Sequence, residues 1–418
     1  MHPVYSRLLN PTSIALANHI VDLECGPLAS EYLAWNFNSG MSAIDGTLSH
    51  VLGHRDVLIT SRHLYGGVHQ LLHDWFAKPS NLDIAIETFD GEDVADFLAC
   101  WSEVRQQHAG RFGDGRRAYL YLESPCNPHG YVLDVPSLCK AAHAAGLRVI
   151  LDATVGTPFL QRPLQADDPD CRPDFLIHSY TKDLSGTGSV IAGCVIARNE
   201  DMFLPKGEPG WAETMFWNVY YVKGAFLSAD AAFEVMQGMR TLELRMLHKC
   251  INTEILAKYL SAHPDIQVNC NAVEGHPNAA LRERLLGFGL PAPLFTFEMK
   301  SLDGDSFRRF FDNLEPVYSH QISLGQTNTT ISCPGLTTHS ELDAAAQRKC
   351  RIFPTTIRVS VGCENPMDLL DHFAAVALAM IDPVSPGFSG KLMSRSRAKE
   401  LIRNTYLEYH SRYIESCV

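Results

Sequence analysis

"FLIHSYTKDLSGTG", Phe175 to Gly188, is the stretch on which the reading of this chain turns. It begins as a short, mostly apolar run that reads as a buried strand. It continues through Ser179, Thr181, Lys182, Ser185 and Gly186, residues that are small, hydroxylated or basic. A chain that leaves a strand this way forms a loop other groups can approach closely. By itself the fragment fits a surface lysine at a strand-to-helix turn. It also fits a lysine placed as a nucleophile.

On either side, "RDVLITS", "RRAYLYLES", "LRVILDAT" and "VIAGCVIA" also read as short buried strands. "VPSLCKAAHAAG" between the second and third has a helical pattern closed by Gly146. Apolar strands alternating with helices predict an α/β fold with a mainly parallel sheet covered on both faces. Ligands of such sheets bind beyond the carboxyl ends of the strands. From about Ala225 to His263 the pattern is long and helical, and it is expected to bridge two domains. "APLFTFEMK", "HQISLG" and "TTIRVSVG" predict strands of a second, smaller sheet, and the tail from Ser394 reads as a helix.

The 418 residues, 46% of them hydrophobic, suffice for two cored domains. A net charge of −12 without a basic stripe argues against nucleic-acid binding. The opening "MHPVYSRLLNPTS" has no apolar core of a signal peptide, and no run approaches the roughly 18 apolar residues of a membrane span. The 12 cysteines show no C-x-x-C pair, so no metal site is expected; reduced thiols in a cytoplasmic protein are the simplest reading.

Asp152 closes the otherwise apolar "RVILD", where a carboxylate is costly unless it meets a partner. A protonated pyridine nitrogen is such a partner, and pyridoxal phosphate needs both that carboxylate and a lysine. Asp152 and Lys182 follow two candidate neighbouring strands. "NSGMSAI" places Ser39, Gly40 and Met41 at a helix start, where backbone N–H groups bind phosphate. Ser179 and Thr181 could add hydroxyls there. Tyr65, before two glycines in "HLYGGV", could stack on a flat cofactor.

With these residues in place, the chain resembles the Cys/Met-metabolism pyridoxal-phosphate enzymes: cystathionine synthases and lyases, and methionine γ-lyase. The motifs "YSRLLNPT", "SGMSAI", "LYGG", "ESPCNPHG", "DAT…GTPFLQRPL", "HSYTKDLSG", "SLG…CPGLTTH" and "IRVSVGCEN" occur in the family's order, from Tyr5 to about Asp371. The resemblance implies a fold-type I enzyme with a seven-stranded, mainly parallel sheet in its large domain and a smaller C-terminal α/β domain. The implied organisation is an N-terminal arm over 1–25, a cofactor domain over 26–235 and a C-terminal domain over 236–418. Lys182 matches the Schiff-base lysine and proton carrier, Asp152 the ring-nitrogen partner, and Tyr65 the stacking residue that protonates the leaving group. Gly40, Met41, Ser179 and Thr181 match the phosphate site. Asn127 and Thr154 match cofactor contacts, and Arg358 and Ser323 match substrate contacts, Arg358 clamping the carboxylate. Tyr5 and Arg7 match residues that reach a neighbouring subunit's phosphate, which implies a dimer or a tetramer with shared sites. No nucleic acid or membrane partner is implied; the substrate is a small amino acid.

The departures concern the substrate. Gly67 stands where methionine γ-lyases carry cysteine. Tyr220 and Tyr221 stand where those enzymes carry a Lys–Asp pair. Ile322 stands where cystathionine enzymes of the γ type often carry glutamate. Asp183 follows the lysine in place of the usual tyrosine, Ala153 replaces an asparagine, and the leading arm is expected to be short. The implied reaction is γ-elimination or γ-replacement on a homoserine-type L-amino acid other than methionine. The aromatic cluster of Trp217, Tyr220 and Tyr221 suggests a cationic leaving group such as the guanidinooxy group of canavanine. O-acetyl- or O-succinylhomoserine is the main alternative. A β-lyase for cysteine-type substrates and a non-catalytic binding protein on the same fold are the rivals.

Overall fold

The computed structural model describes residues 5–91, 93–300, 302–337, 339–340 and 344–417. The first four residues of the expected arm and Thr338 of "CPGLTTH" lie outside the described residues. The chain forms two compact units, divided between Thr241 and Leu242. The segment Pro125–Val132 belongs to the second unit although it lies far earlier in sequence.

Among the described residues, the first unit is built on a seven-stranded sheet. Its strands are β1 (Tyr32–Phe37), β2 (Val57–Ser61), β3 (Ala85–Phe89), β4 (Ala118–Glu123), β5 (Arg148–Asp152), β6 (Phe175–His178) and β7 (Gly193–Arg198). They lie in the order β1-β7-β6-β5-β4-β2-β3. From β6 to β3 every pairing is parallel, whereas β7 runs antiparallel to both β6 and β1. The mainly parallel sheet read from the apolar runs is therefore present. β1 and β3 are additional to the strands predicted from the sequence; β3 is only partly buried, so its residues show no continuous apolar run. Fully buried Leu58, Leu120, Ile150, Leu176 and Ile177 on neighbouring strands explain why the central segments are apolar throughout.

Three helices matter to the site. The first, α1 (Pro11–Cys25), starts with Pro11 behind the Asn10 side chain, which accepts the Thr12 N–H at 2.9 Å. The second, α2 (Gly40–Val51), is capped by Ser39, whose hydroxyl accepts the Ser42 N–H at 3.0 Å. The third, α3 (Gly66–Leu71), begins directly after Tyr65. The helix predicted over "VPSLCKAAHAAG" spans Val135–Ala144, and Gly146 beyond it has φ +78°, a conformation that favours glycine. The long helical stretch is two helices, Ala229–Met239 and Leu242–Ser261, interrupted at Arg240 and Thr241. Gly238 lets the first of them lie against the lysine loop, since a Cβ there would stand 1.9 Å from the Ser185 carbonyl oxygen.

The second unit carries a five-stranded sheet of β8 (Ile266–Asn269), β9 (Leu294–Met299), β10 (Ser319–His320), β11 (Thr330–Ser332) and β12 (Thr356–Ser360). The strand predicted over "HQISLG" is reduced to Ser319–His320. The Gln321 N–H still bonds the Ile331 carbonyl, but beyond it the carbonyls of Ile322 and Ser323 accept from the Arg358 side chain at 2.6 and 3.2 Å, so the rest of that segment is held by a guanidinium. The tail forms the helix Arg395–Ser416 behind Ser394.

Candidate active site

In the first unit the parallel pairing of β5 with β6 decides the geometry. Asp152 lies beside Ile177, and Lys182 follows β6 by four residues. The Asp152 carboxylate is buried, and its Oδ1 accepts the Thr154 N–H at 3.0 Å. Burial raises its carboxyl above the usual carboxylate range, against the opposing pull of the Thr154 hydrogen bonds and of nearby His178 and Lys182. Among the described residues no cation lies within ion-pair distance of it. A desolvated carboxylate without a salt bridge suits a protonated ring nitrogen. Thr154 also ties this strand end to the lysine loop, since its hydroxyl accepts the Ser179 N–H at 2.8 Å.

The anion cradle is equally specific. The Ser42 N–H binds the Ser39 hydroxyl and the Ala43 N–H binds the Ser39 carbonyl. The Gly40 and Met41 N–H groups are then the open end of α2. Gly40 is required by close approach: a Cβ there would stand 2.7 Å from Ser179 Cβ and 2.8 Å from its Oγ. Gly193 serves the same junction, since its Cβ would stand 2.4 Å from the Ser39 carbonyl oxygen. These positions fit a phosphate. Thr181 departs from its expected role. Its hydroxyl accepts the Ala192 N–H at 3.1 Å and donates to the Ala192 carbonyl at 3.2 Å, so it braces the lysine loop instead of offering its proton to an anion.

Tyr65 precedes α3 and is 39% exposed. Its backbone N–H donates to Glu123 Oε2 at 2.7 Å. Glu123 is buried at the end of β4, in register with Asp152. Glu123 is not among the residues predicted for the site, although it carries the same signal as Asp152, a carboxylate closing an apolar strand. Nor is the buried pair of Glu24 and His178, 2.6 Å apart, which ties α1 to the end of β6.

The aromatic residues proposed for the substrate divide. Tyr220 is part of the core, not of an open surface: it is 4% exposed, stacks on Trp35 at 5.1 Å, meets Phe37 edge-on and donates its hydroxyl to the Asn36 carbonyl. Apolar packing on both sides leaves no face for a cation. Tyr221 is 40% exposed, but Arg7 already lies 5.8 Å from its ring centre and donates to its carbonyl at 2.9 Å. The Trp217 indole donates to the Leu204 carbonyl at 3.0 Å. Tyr5 is 55% exposed, with the Arg7 guanidinium 5.2 Å from its ring centre.

In the second unit Arg358 projects from β12 and is 1% exposed. Besides the Ile322 and Ser323 carbonyls it meets Asn127 Oδ1 at 3.3 Å. The structure thus groups Arg358, Asn127 and Ser323, and leaves the Ile322 side chain exposed beside them.

Residues 2–378 match the family model for the Cys/Met metabolism PLP-dependent enzymes. The chain belongs to this family. It is 30% identical over 370 residues to an L-methionine gamma-lyase of Fusobacterium nucleatum subsp. nucleatum, covering 88% of this chain and 84% of that protein. An O-acetyl-L-homoserine sulfhydrylase of Corynebacterium glutamicum is 28% identical, with 88% and 84% covered. The crystal structure of a cystathionine gamma synthase from Xanthomonas oryzae pv. oryzae in complex with cystathionine superposes with a TM-score of 0.76 at 27% identity, over 91% of this chain and 88% of that one. The protein is accordingly a pyridoxal-phosphate-dependent enzyme of fold type I, within a family of γ-lyases and γ-replacing enzymes. Among the described residues, no helix is long and apolar enough to cross a membrane.

Proposed function

We propose that the protein catalyses γ-elimination or γ-replacement on a homoserine-type L-amino acid whose leaving group is joined through oxygen. The observation that carries the chemical reading is the pairing of β5 with β6, which sets the buried Asp152, without an ion-pair partner among the described residues, beside the strand that leads to Lys182. Pyridoxal phosphate, when bound, supplies an aldehyde for the substrate amine and a cationic ring that delocalises negative charge from Cα. Asp152 would hold that ring cation, and the N–H groups of Gly40 and Met41 with Ser179 would hold the phosphate. Lys182 Nζ takes the Cα proton and then moves a proton at Cβ. The Tyr65 hydroxyl gives a proton to the leaving atom on Cγ. Arg358 orients the substrate carboxylate from a position fixed by Asn127 and two backbone carbonyls. Elimination ends in 2-oxobutanoate and ammonia, and replacement exchanges the leaving group for a nucleophile.

The choice of leaving group rests on Tyr65 and Gly67. A Cβ at residue 67 would stand 2.6 Å from Tyr65 Cε1, so the tyrosine ring occupies the place of a side chain there. This supports a site reshaped away from a methionine thioether. Support for the guanidinooxy group of canavanine is reduced, because Tyr220 is enclosed and Tyr221 is already covered by Arg7. An acyl ester such as O-acetylhomoserine, the substrate in the name of one relative, is therefore placed ahead of canavanine. Tyr5 and Arg7 are proposed to serve a neighbouring subunit, in a dimer or larger assembly. A panel of O-acetylhomoserine with and without sulfide, canavanine, methionine, cystathionine and cysteine, followed by mass spectrometry, tests the assignment. Methionine as the best substrate would refute the leaving-group reading, and cysteine alone as a substrate would refute γ-chemistry.

A further inference from the structure

The second unit contains a cavity of about 390 Å³ whose wall includes Arg351, Glu298, Thr356, Val268, Pro277 and Phe353. None of its lining residues is among those matched to the reaction. Arg351 is unusual on two counts. Its φ is +56°, in the left-handed region, where a non-glycine residue is strained and needs surroundings that over-determine it. It is also exposed, and among the described residues no carboxylate lies within ion-pair distance of it.

A chain of hydrogen bonds supplies those surroundings. Arg351 Nη1 donates to the Tyr131 hydroxyl at 3.0 Å, and that hydroxyl donates to Asn269 Oδ1. The Asn269 amide nitrogen meets His129 Nδ1 at 3.0 Å, and His129 Nε2 meets the carbonyl of Cys350 at 2.7 Å. A carbonyl can only accept, so the His129 proton sits on Nε2, and Nδ1 accepts from Asn269. The series begins on the Arg351 guanidinium and ends on the residue just before it. One face of the guanidinium fork is thereby fixed and the remainder borders the cavity.

Glu298 is the counterpart. Its Oε1 accepts from the Thr356 hydroxyl at 3.1 Å, and among the described residues no cation pairs with it. Burial raises its carboxyl above the usual range, against the weaker opposing pulls of the Thr356 hydrogen bond and of the Lys300 ammonium, and an ammonium within ion-pair distance would favour the charged form further. Among the described residues, Arg351 and Glu298 thus border one cavity with no ion pair between them or to a third residue, and the Lys300 ammonium acts on Glu298 only from beyond ion-pair distance. Pro277 and Phe353 add apolar surface.

We propose that this cavity is a second ligand site that receives a zwitterionic α-amino acid with an apolar side chain, its carboxylate on Arg351 and its ammonium on Glu298. The site does not depend on the substrate reading above. L-Norleucine is a suitable probe, because its γ-carbon bears no leaving group. Its binding would be measured by calorimetry on borohydride-reduced holoenzyme, in which the substrate amine can no longer exchange onto the cofactor. Saturable binding is expected, weakened about tenfold or more by Arg351→Gln and by Glu298→Gln, as loss of one charge-assisted contact implies. Both variants should keep the wild-type circular dichroism and Tm. Hexanoate and 1-pentylamine, each with one of the two charges, should bind at least about tenfold more weakly than norleucine. Absence of saturable norleucine binding in the wild type would overturn the proposal. Wild-type affinity in either folded variant, or equal binding of a singly charged analogue, would overturn it too.

Discussion

Gly67→Ala should slow the enzyme through Tyr65 while leaving the fold intact. The new Cβ would stand 2.6 Å from Tyr65 Cε1, 3.2 Å from Cζ and 3.3 Å from Cδ1, whereas ordinary contact begins near 3.4 Å. The ring edge must retreat by about 0.8 Å. Tyr65 is 39% exposed, so the ring can swing toward solvent while its backbone stays on Glu123. The strain is therefore relieved by movement of the ring, and the higher helix propensity of alanine offsets part of it, at about 0.5–1 kcal/mol. Stability measured by urea unfolding should change by less than about 1 kcal/mol. The rate is more sensitive, because a proton donor displaced by about 1 Å loses up to ~100-fold. We expect kcat for O-acetylhomoserine to fall about 10–100-fold, that is about 1.4–2.8 kcal/mol in the barrier. The control is a double-mutant cycle with Tyr65→Phe. If Gly67 acts only by seating the Tyr65 hydroxyl, adding Gly67→Ala to Tyr65→Phe should cost little more. Wild-type kcat in Gly67→Ala, or full additivity with Tyr65→Phe, would refute the reasoning.

Four further outcomes are expected. In cofactor-free protein, Asp152→Asn should raise Tm at neutral pH. The folded carboxyl is raised above its unfolded value, so its ionised form destabilises the fold above the folded pKa, and the gain should vanish below the ordinary value of 3.8; in holoenzyme the same change should lower kcat. Tyr220→Ala should lose about 3–5 kcal/mol of unfolding free energy, as large buried aromatics do, and a variant as stable as wild type would contradict the core placement. His143, raised above 6.5 by its hydrogen bond to Asp174, should add stability that is complete below 6.5 and is lost as pH rises through the folded value; urea midpoints against pH should show this slope in wild type and not in His143→Gln. Mixed inactive subunits of Arg7→Ala and Lys182→Ala should regain part of the activity if Arg7 serves the neighbour's site, and no recovery after proven subunit exchange would exclude a shared site.

Local chemistry was legible in this sequence. Apolar runs too short for helices identified the central strands, and a carboxylate or a lysine closing such a run marked Asp152 and Lys182, because burial of an ionisable group at a strand end needs a reason. Ser39 announced the start of α2, and Gly146 closed the helix before it, since capping depends on residues within one turn. What the sequence alone could not decide depends on partners distant along the chain. Thr181 reads as a phosphate hydroxyl until β7 places Ala192 against it. Tyr220 reads as part of an aromatic cluster for a cationic leaving group until β1 brings Trp35 and Phe37 onto its ring. "HQISLG" reads as a strand until the Arg358 guanidinium takes its carbonyls. Residues 125–132 follow β4 directly in sequence, yet they pack in the second unit, where His129 and Tyr131 hold Arg351. A residue type and its near neighbours fix which hydrogen bonds and contacts are available, but only the packing of remote segments determines which partner takes them.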